Sequence, residues 1–193
     1  MKKMLITGFE PFENEDINPS WEAVWRLPDQ INEYKLTKVK LPVLFSDAAD
    51  YVISVANEIG ADVIICVGQA GGRSEITPEL VGINLRFAQI PDNNGYKPED
   101  EPIKACGKNA YFSTLPVRKM VEAIKKVGIP SKVSCSAGTY VCNDVLYTLL
   151  AHFENTATRV GFIHVPYCTE QGKEPSMEIE TILKGLCVAI ECI

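Results

Sequence analysis

The sequence has no long apolar run, no excess of positive charge, no C-x-x-C pair and only two histidines, and each shortage removes a class of function. No purely apolar stretch exceeds five residues, as at 63–67, the length of one buried strand against the roughly 18 residues a membrane helix needs. With 19 Lys plus Arg against 25 Asp plus Glu the formal net charge is -6, which repels phosphate backbones, and no local basic patch offsets it. Neither a nucleic acid nor a membrane is expected as partner. Before Thr7 and Gly8 the start, Met1-Lys2-Lys3-Met4-Leu5-Ile6, holds too few apolar residues for a signal-peptide core, so a cytoplasmic protein is expected. Cys66, Cys106, Cys135, Cys142, Cys168, Cys187 and Cys192 are odd in number and lack paired spacing, which fits reduced thiols better than a disulfide framework or a zinc site. Gly and Pro are scattered rather than clustered, and there is no repeat.

What is present is a chain of 193 residues, 46% hydrophobic, enough for a sizeable core, and residues 1–193 are read as a single domain. Short apolar or β-branched runs at 3–7, 36–41, 61–67, 132–136 and 159–165 end in Gly, Pro or Ser and read as strands buried on both faces. Helices fall between them. In 46–59 the residues Val52, Val55, Ala56 and Ile59 share a stripe, with Ser46 as N-cap and Gly60 as stop. Residues 116–127 carry Val117, Met120, Val121 and Ile124 on one face, with Pro116 in the first turn and Gly128 beyond the end. Residues 18–27, 142–153 and 176–190 complete the helices, the first capped by Asn18. Alternating strands and helices predict an α/β fold of three layers, a twisted and mostly parallel sheet with helices on both faces. The stretch 71–109 breaks the alternation with Pro78, Pro91, Pro98, Pro102 and the turn cluster Asp92-Asn93-Asn94-Gly95. It reads as an irregular or hairpin excursion, strand-like at 80–87, over the sheet edge or mouth, either a binding element or a surface loop without a role.

Ligands of open parallel sheets bind beyond the carboxyl ends of the strands. There stand Gly8-Phe9-Glu10-Pro11-Phe12, Gly68-Gln69-Ala70-Gly71-Gly72-Arg73, residues 137–142 and His164. Cys142 opens a predicted helix, where the positive dipole end favours a thiolate and orphan N–H groups can hold an oxyanion. A buried structural thiol is the plain alternative. A nucleophilic cysteine needs a base. His152 lies ten residues along the same helix, about 15 Å away at 1.5 Å per residue, so a Cys-His pair would be Cys142 with His164. Against this stands a core histidine in an apolar strand. Glu75, Glu79 or Asp92 would then orient the imidazole, and spacing does not choose among them. The Gly68 to Arg73 turn lacks the ending of a P-loop, which leaves a phosphate-handling enzyme as the weakest alternative.

Several motifs in order carry a resemblance over nearly the whole chain: Thr7-Gly8-Phe9-Glu10-Pro11-Phe12 with Asn18-Pro19-Ser20, the Gly68 to Arg73 turn followed by Ile76-Thr77-Pro78-Glu79, and Ile90-Pro91-Asp92-Asn93. They continue through Ser136-Ala137-Gly138-Thr139-Tyr140-Val141-Cys142-Asn143 and Phe162-Ile163-His164-Val165-Pro166. The sequence resembles the pyrrolidone-carboxylate peptidases (pyroglutamyl-peptidase I), cysteine peptidases that remove an N-terminal pyroglutamate. The resemblance implies Cys142 as nucleophile, His164 as base and Glu79 as the acid orienting it, with no metal or organic cofactor. It further implies that Phe9, Phe12, Ile90, Tyr140 and Val141 enclose the lactam ring of a pyroglutamyl peptide while Asn18 and Gln69 contact its amide. A homo-oligomer, commonly a tetramer, is implied too. Three positions depart from the family's usual pattern: Leu80 in place of Lys or Arg, Gln89 in place of Arg before Ile-Pro-Asp, and Asp144 in place of His after Cys-Asn. Gln89 motivates one alternative, a weakened homologue that binds pyroglutamyl peptides without efficient turnover.

Overall fold

The structure, a computed structural model, describes residues 1–13 and 15–193. Elements are numbered in chain order. Four apolar runs become the parallel strands β1 (Lys2–Phe9), β3 (Tyr34–Leu41), β4 (Val63–Gln69) and β8 (Arg159–Val165). With the short antiparallel edges β2 (Gln30–Ile31) and β5 (Thr77–Pro78) they form one six-stranded sheet of order β2-β3-β1-β4-β8-β5. β1, β4 and β8 are covered on both faces, which is why their apolar runs are continuous rather than alternating.

The period of two along each strand sorts the core into two layers. Met4, Ile6, Val63, Ile65 and Val67 pack with α1 (Pro19–Arg26), α3 (Val117–Lys126) and α5 (Ile179–Glu191). Leu5, Ile64, Cys66 and Phe162 pack with α2 (Asp47–Ile59) and α4 (Val141–His152) on the other face. This is the expected three-layer α/β arrangement. Asn18 caps α1 by accepting from Ser20 N at 3.0 Å, and Gly60 ends α2 in the left-handed region at φ 64°.

Three local expectations are corrected. Residues 132–136 form no strand: the segment touches its neighbour only through bridges at Ser131 and Ser134, because Pro78 opposite has no N–H to extend the ladder. Ser46 does not cap α2 with its side chain. It sits at φ 62°, with its N–H given to Asp144 and its hydroxyl accepting from Arg86. The last helix begins at Ile179, since Ser176 and Met177 pair with β9 (Tyr167–Cys168) as the short strand β10 (Ser176–Met177). The excursion 71–109 holds β5 and β6 (Val81–Ile83), the latter paired with β7 (Ala110–Phe112); only 81–83 of the strand-like 80–87 is strand. Its remainder is strapped together by reciprocal backbone bonds between Arg86 and Glu101 and by Asn84, whose side chain bonds Lys104 N and O. Among the described residues no helix is long and apolar enough to cross a membrane.

Candidate active site

Gly68 near the end of β4 is the cross-strand partner of His164 in β8. Side chains at such paired positions point to one face of the sheet, about 4.8 Å apart. Gly68 has none, and a Cβ built there would lie 2.9 Å from Cys142 Sγ and 2.8 Å from the Phe162 ring. The thiol therefore occupies the space a side chain at position 68 would take, on the face and at the level of the imidazole. Cys142 is the second residue of α4, where first-turn N–H groups have no acceptor within the helix. His152 is the last residue of that helix and exposed, out of reach of Cys142.

β5 pairs Thr77 with His164 and delivers Glu79 just beyond. Glu79 Oε1 lies 2.7 Å from His164 Nδ1, with both side chains buried. The same oxygen accepts from Arg73 Nη1 at 2.8 Å. Glu75 instead pairs with Lys132, and Asp92 accepts from the N–H groups of Phe45, Asn94 and Tyr96. Among the three acids left open by spacing, the fold brings Glu79 to the imidazole.

Burial dominates the electrostatics. It pushes the Cys142 thiol up to about 12, with the Glu79 charge adding to it. It pulls His164 below 6.5 against the opposing pull of Glu79. Burial also works to raise Glu79, but the hydrogen bond and charge of His164, helped by Arg73, hold that carboxyl below its ordinary range. Both shifts favour the neutral forms, thiol and imidazole. Burial of the charge thus works against the thiolate that the helix dipole favours.

Next to the sulfur lies a small pocket lined by Phe9, Phe12, Asn18, Val43, Gln69, Tyr140, Val141 and Cys142. The polar members are partly committed. Asn18 accepts from Ser20 and donates to Glu10 O at 3.0 Å, and Gln69 accepts from Gln171 at 2.9 Å. Each carboxamide still has an N–H with which to meet an acceptor. Ile90 stands outside this pocket, in the grooves that adjoin it at Phe12 and Tyr140. The Tyr140 hydroxyl donates to Pro91 O at 2.9 Å and so ties that loop to the site. Val43 escaped the sequence reading, although it follows a strand that ends on the same rim and the carboxyl-end rule applied to β3 would have reached it.

The departures take definite places. Asp144 is buried, bonded to Arg86 Nε at 2.6 Å and to Ser46 N at 2.8 Å, so an arginine three positions before Gln89 neutralises the acid in the first turn of α4. Gln89 is exposed beside Tyr140, and Leu80 lines a groove at the start of α3. Among the described residues no three His, Cys, Asp or Glu side chains gather as ligands for a metal ion.

A thiol on the first turn of a helix, placed on the sheet face of an imidazole whose Nδ1 is held by a buried carboxylate, puts this α/β chain among the cysteine-type peptidases. Comparison with known proteins narrows the class. The family profile described as pyroglutamyl peptidase matches residues 2–193. A pyrrolidone-carboxylate peptidase of Staphylococcus saprophyticus is 48% identical, over 99% of this chain and 92% of its own length. That of Thermococcus kodakarensis is 47% identical, over 99% and 95%. The crystal structure of pyroglutamyl peptidase I from Bacillus amyloliquefaciens superposes with a TM-score of 0.95 at 43% identity, covering 100% of this chain and 96% of that one. The chain belongs to the pyroglutamyl peptidase family.

Proposed function

We propose that the protein hydrolyses the amide bond after an N-terminal pyroglutamyl residue, with Cys142 as nucleophile, His164 as base and Glu79 as the acid that orients it, residues 1–193 acting as one unit. One observation carries this reading: Glu79 Oε1 takes Nδ1 of His164, which leaves Nε2 for the thiol seated over Gly68. In acylation His164 Nε2 takes the Cys142 proton as the sulfur bonds to the substrate carbonyl carbon. The oxyanion meets first-turn N–H groups of α4, those of Val141 and Cys142, since Asn143 N and Asp144 N already donate to Tyr140 O. The C–N bond then breaks, and the imidazolium gives its proton to the departing amine. Water attacks the thioester with His164 again accepting a proton, which frees pyroglutamate and restores the thiol. The proton starts and ends on Cys142, so the neutral resting pair suffices.

The pocket supports the substrate class. Pyroglutamate has no ammonium group, and a slot walled by Phe9, Phe12, Val43, Tyr140 and Val141 disfavours a charged N-terminus through desolvation, while Asn18 and Gln69 offer N–H groups to the lactam. Ile90 would act from the adjoining loop. The weakened-homologue alternative draws no support from Gln89, which is exposed in the groove beside Tyr140. Release of a reporter amine from a pyroglutamyl amide, with a prolyl amide as control, tests the reading. Turnover should be confined to the first substrate and fall roughly 10⁴-fold or more in Cys142→Ala and His164→Ala. Folded, reduced wild type without turnover would leave only binding.

Residence in the cytoplasm is part of this proposal, supported by seven free cysteines. So is assembly into a homotetramer, which rests on the family resemblance. Phe112 at 69% and Trp25 at 54% exposure are large apolar side chains available for contact. Light scattering on the purified chain measures the assembly directly.

A further inference from the structure

We propose that Arg73 is a positioning residue of this site, pinning the Glu79 carboxylate in its ionised form against His164 and tying it to the chain that leads into the Cys142 helix. The inference rests on the triad reading above. One guanidinium joins two segments: Nη1 donates to Thr77 Oγ1 at 2.6 Å and Glu79 Oε1 at 2.8 Å, and Nη2 to Ser136 O at 3.1 Å. Thr77 begins the edge strand β5 and Glu79 follows it, while Ser136 opens the loop before α4, so the acid and the nucleophile hang on the same side chain.

Charge accounting shows why the acid needs it. Glu79 is fully buried, and among the described residues its Oε2 makes no direct hydrogen bond, the Ser134 hydroxyl giving the carboxylate only a weaker, secondary interaction. Oε1 therefore carries the direct hydrogen bonds, shared between His164 Nδ1 and Arg73 Nη1, and of these partners Arg73 alone is always charged. A buried carboxylate facing only a neutral imidazole relieves its desolvation by taking a proton. It then no longer holds the Nδ1–H tautomer that leaves Nε2 as acceptor. Arg73 supplies the missing counter-charge cheaply, since 27% of its side chain stays in contact with solvent. Its charge also lies on the side that opposes protonation of His164. The titratable groups facing the imidazole are Glu79 from beyond β5, Arg73 from the turn after β4 and the Cys142 thiol from α4, with Cys66 behind that thiol on β4.

The test is the His164 titration, read by NMR of the imidazole protons. With two histidines in the chain, His152→Gln assigns the signals. In Arg73→Gln the coupled Glu79–His164 pair takes its first proton at higher pH whichever partner holds it, since His164 loses a repelling charge and Glu79 a stabilising one. The expected result is a first midpoint of the pair, followed at the imidazole, and an acid limb of kcat/KM displaced upward by about half a unit or more. A brace with no electrostatic role would lower kcat at all pH values and leave the midpoint where it was, and that outcome overturns the proposal. Should Arg73→Gln not fold, Arg73→Lys decides: the retained charge should hold the midpoint near wild type while kcat falls, and an upward displacement of about half a unit would overturn it. Wild type without turnover, or turnover that survives His164→Ala, sinks the triad reading instead; the titration needs no turnover and still judges Arg73.

Discussion

Position 68 shows how much one missing side chain decides. Cys142 was found from its place at the start of a helical pattern, and His164 from elimination of a histidine ten residues along that helix. Neither argument could say that the sulfur would rest where a side chain at 68 is absent, because that contact joins residues 74 apart in the chain and depends on the register of β4 with β8. Gly68→Ala follows directly. The new methyl group would lie 2.9 Å from Cys142 Sγ and 2.8 Å from the Phe162 ring, closer than real contacts allow. Overpacking of this kind costs about 1–3 kcal/mol of stability, a loss most domains survive. The sulfur, however, must move by a good fraction of an ångström, and kcat should fall roughly 10²-fold with KM for a pyroglutamyl amide little changed. Steady-state kinetics that return wild-type kcat would show that the thiol does not depend on this gap. Arg73 escaped the residue-level reading for a related reason. It was weighed as the end of a glycine turn, and its partner Glu79 meets it only once β5 folds back antiparallel on β8.

Among the elements, α4 carries the strongest coupling between secondary structure and site. Its apolar stripe of Val145, Leu146 and Leu149 announced the helix, and the structure buries all three. What periodicity cannot report is that both polar residues after Cys142 face inward. Asn143 bonds Ile83 N, Ile83 O and Leu85 O, and Asp144 holds Arg86 and Ser46, so the first turn is stapled to the excursion and to the loop before α2. The same staple explains why Ser46 fails as a side-chain cap: its hydroxyl is taken by Arg86. Asp144→Ala would strand a largely buried guanidinium and an amide together. Loss of one partner of such a pair costs about 3 kcal/mol or more, whereas Arg86→Met combined with Asp144→Leu should recover part of that loss. Urea denaturation of the single and double variants measures the difference. A single variant as stable as wild type would mean that the pair is no more than a surface contact. Residues 132–136 fail in the opposite sense. Alternating Val and Ser look like strand until Pro78 opposite denies the ladder a donor, and that partner is not visible from the segment itself.

At the scale of the molecule, the layering was legible because it needs only the order of apolar runs and the period of each: the α-helices of the described residues divide between two sheet faces that the strands themselves separate, odd residues from even. The titration of the folded state was not legible, because it depends on burial. His164 is held below 6.5 in the folded chain, so as pH falls past 6.5 the unfolded chain binds a proton that the folded one refuses. Stability must decline through that window, and further on the acid side as Glu79, held below 4.5, is finally protonated. On the alkaline side Cys66 and Cys142 both rise from 9.0 to about 12, so above 9 the unfolded chain releases protons that the folded one keeps. Stability must fall again toward pH 12, which places the broad maximum of Tm between about 6.5 and 9. The acid shoulder can be assigned to one group. His164→Gln cannot titrate there, so its Tm should change less than that of wild type between pH 6.5 and 5, while both share the alkaline decline. Two parallel Tm curves across that acid window would show that His164 accepts protons in the folded chain as readily as in the unfolded one, and that the imidazole is not the sheltered neutral base on which the catalytic reading depends.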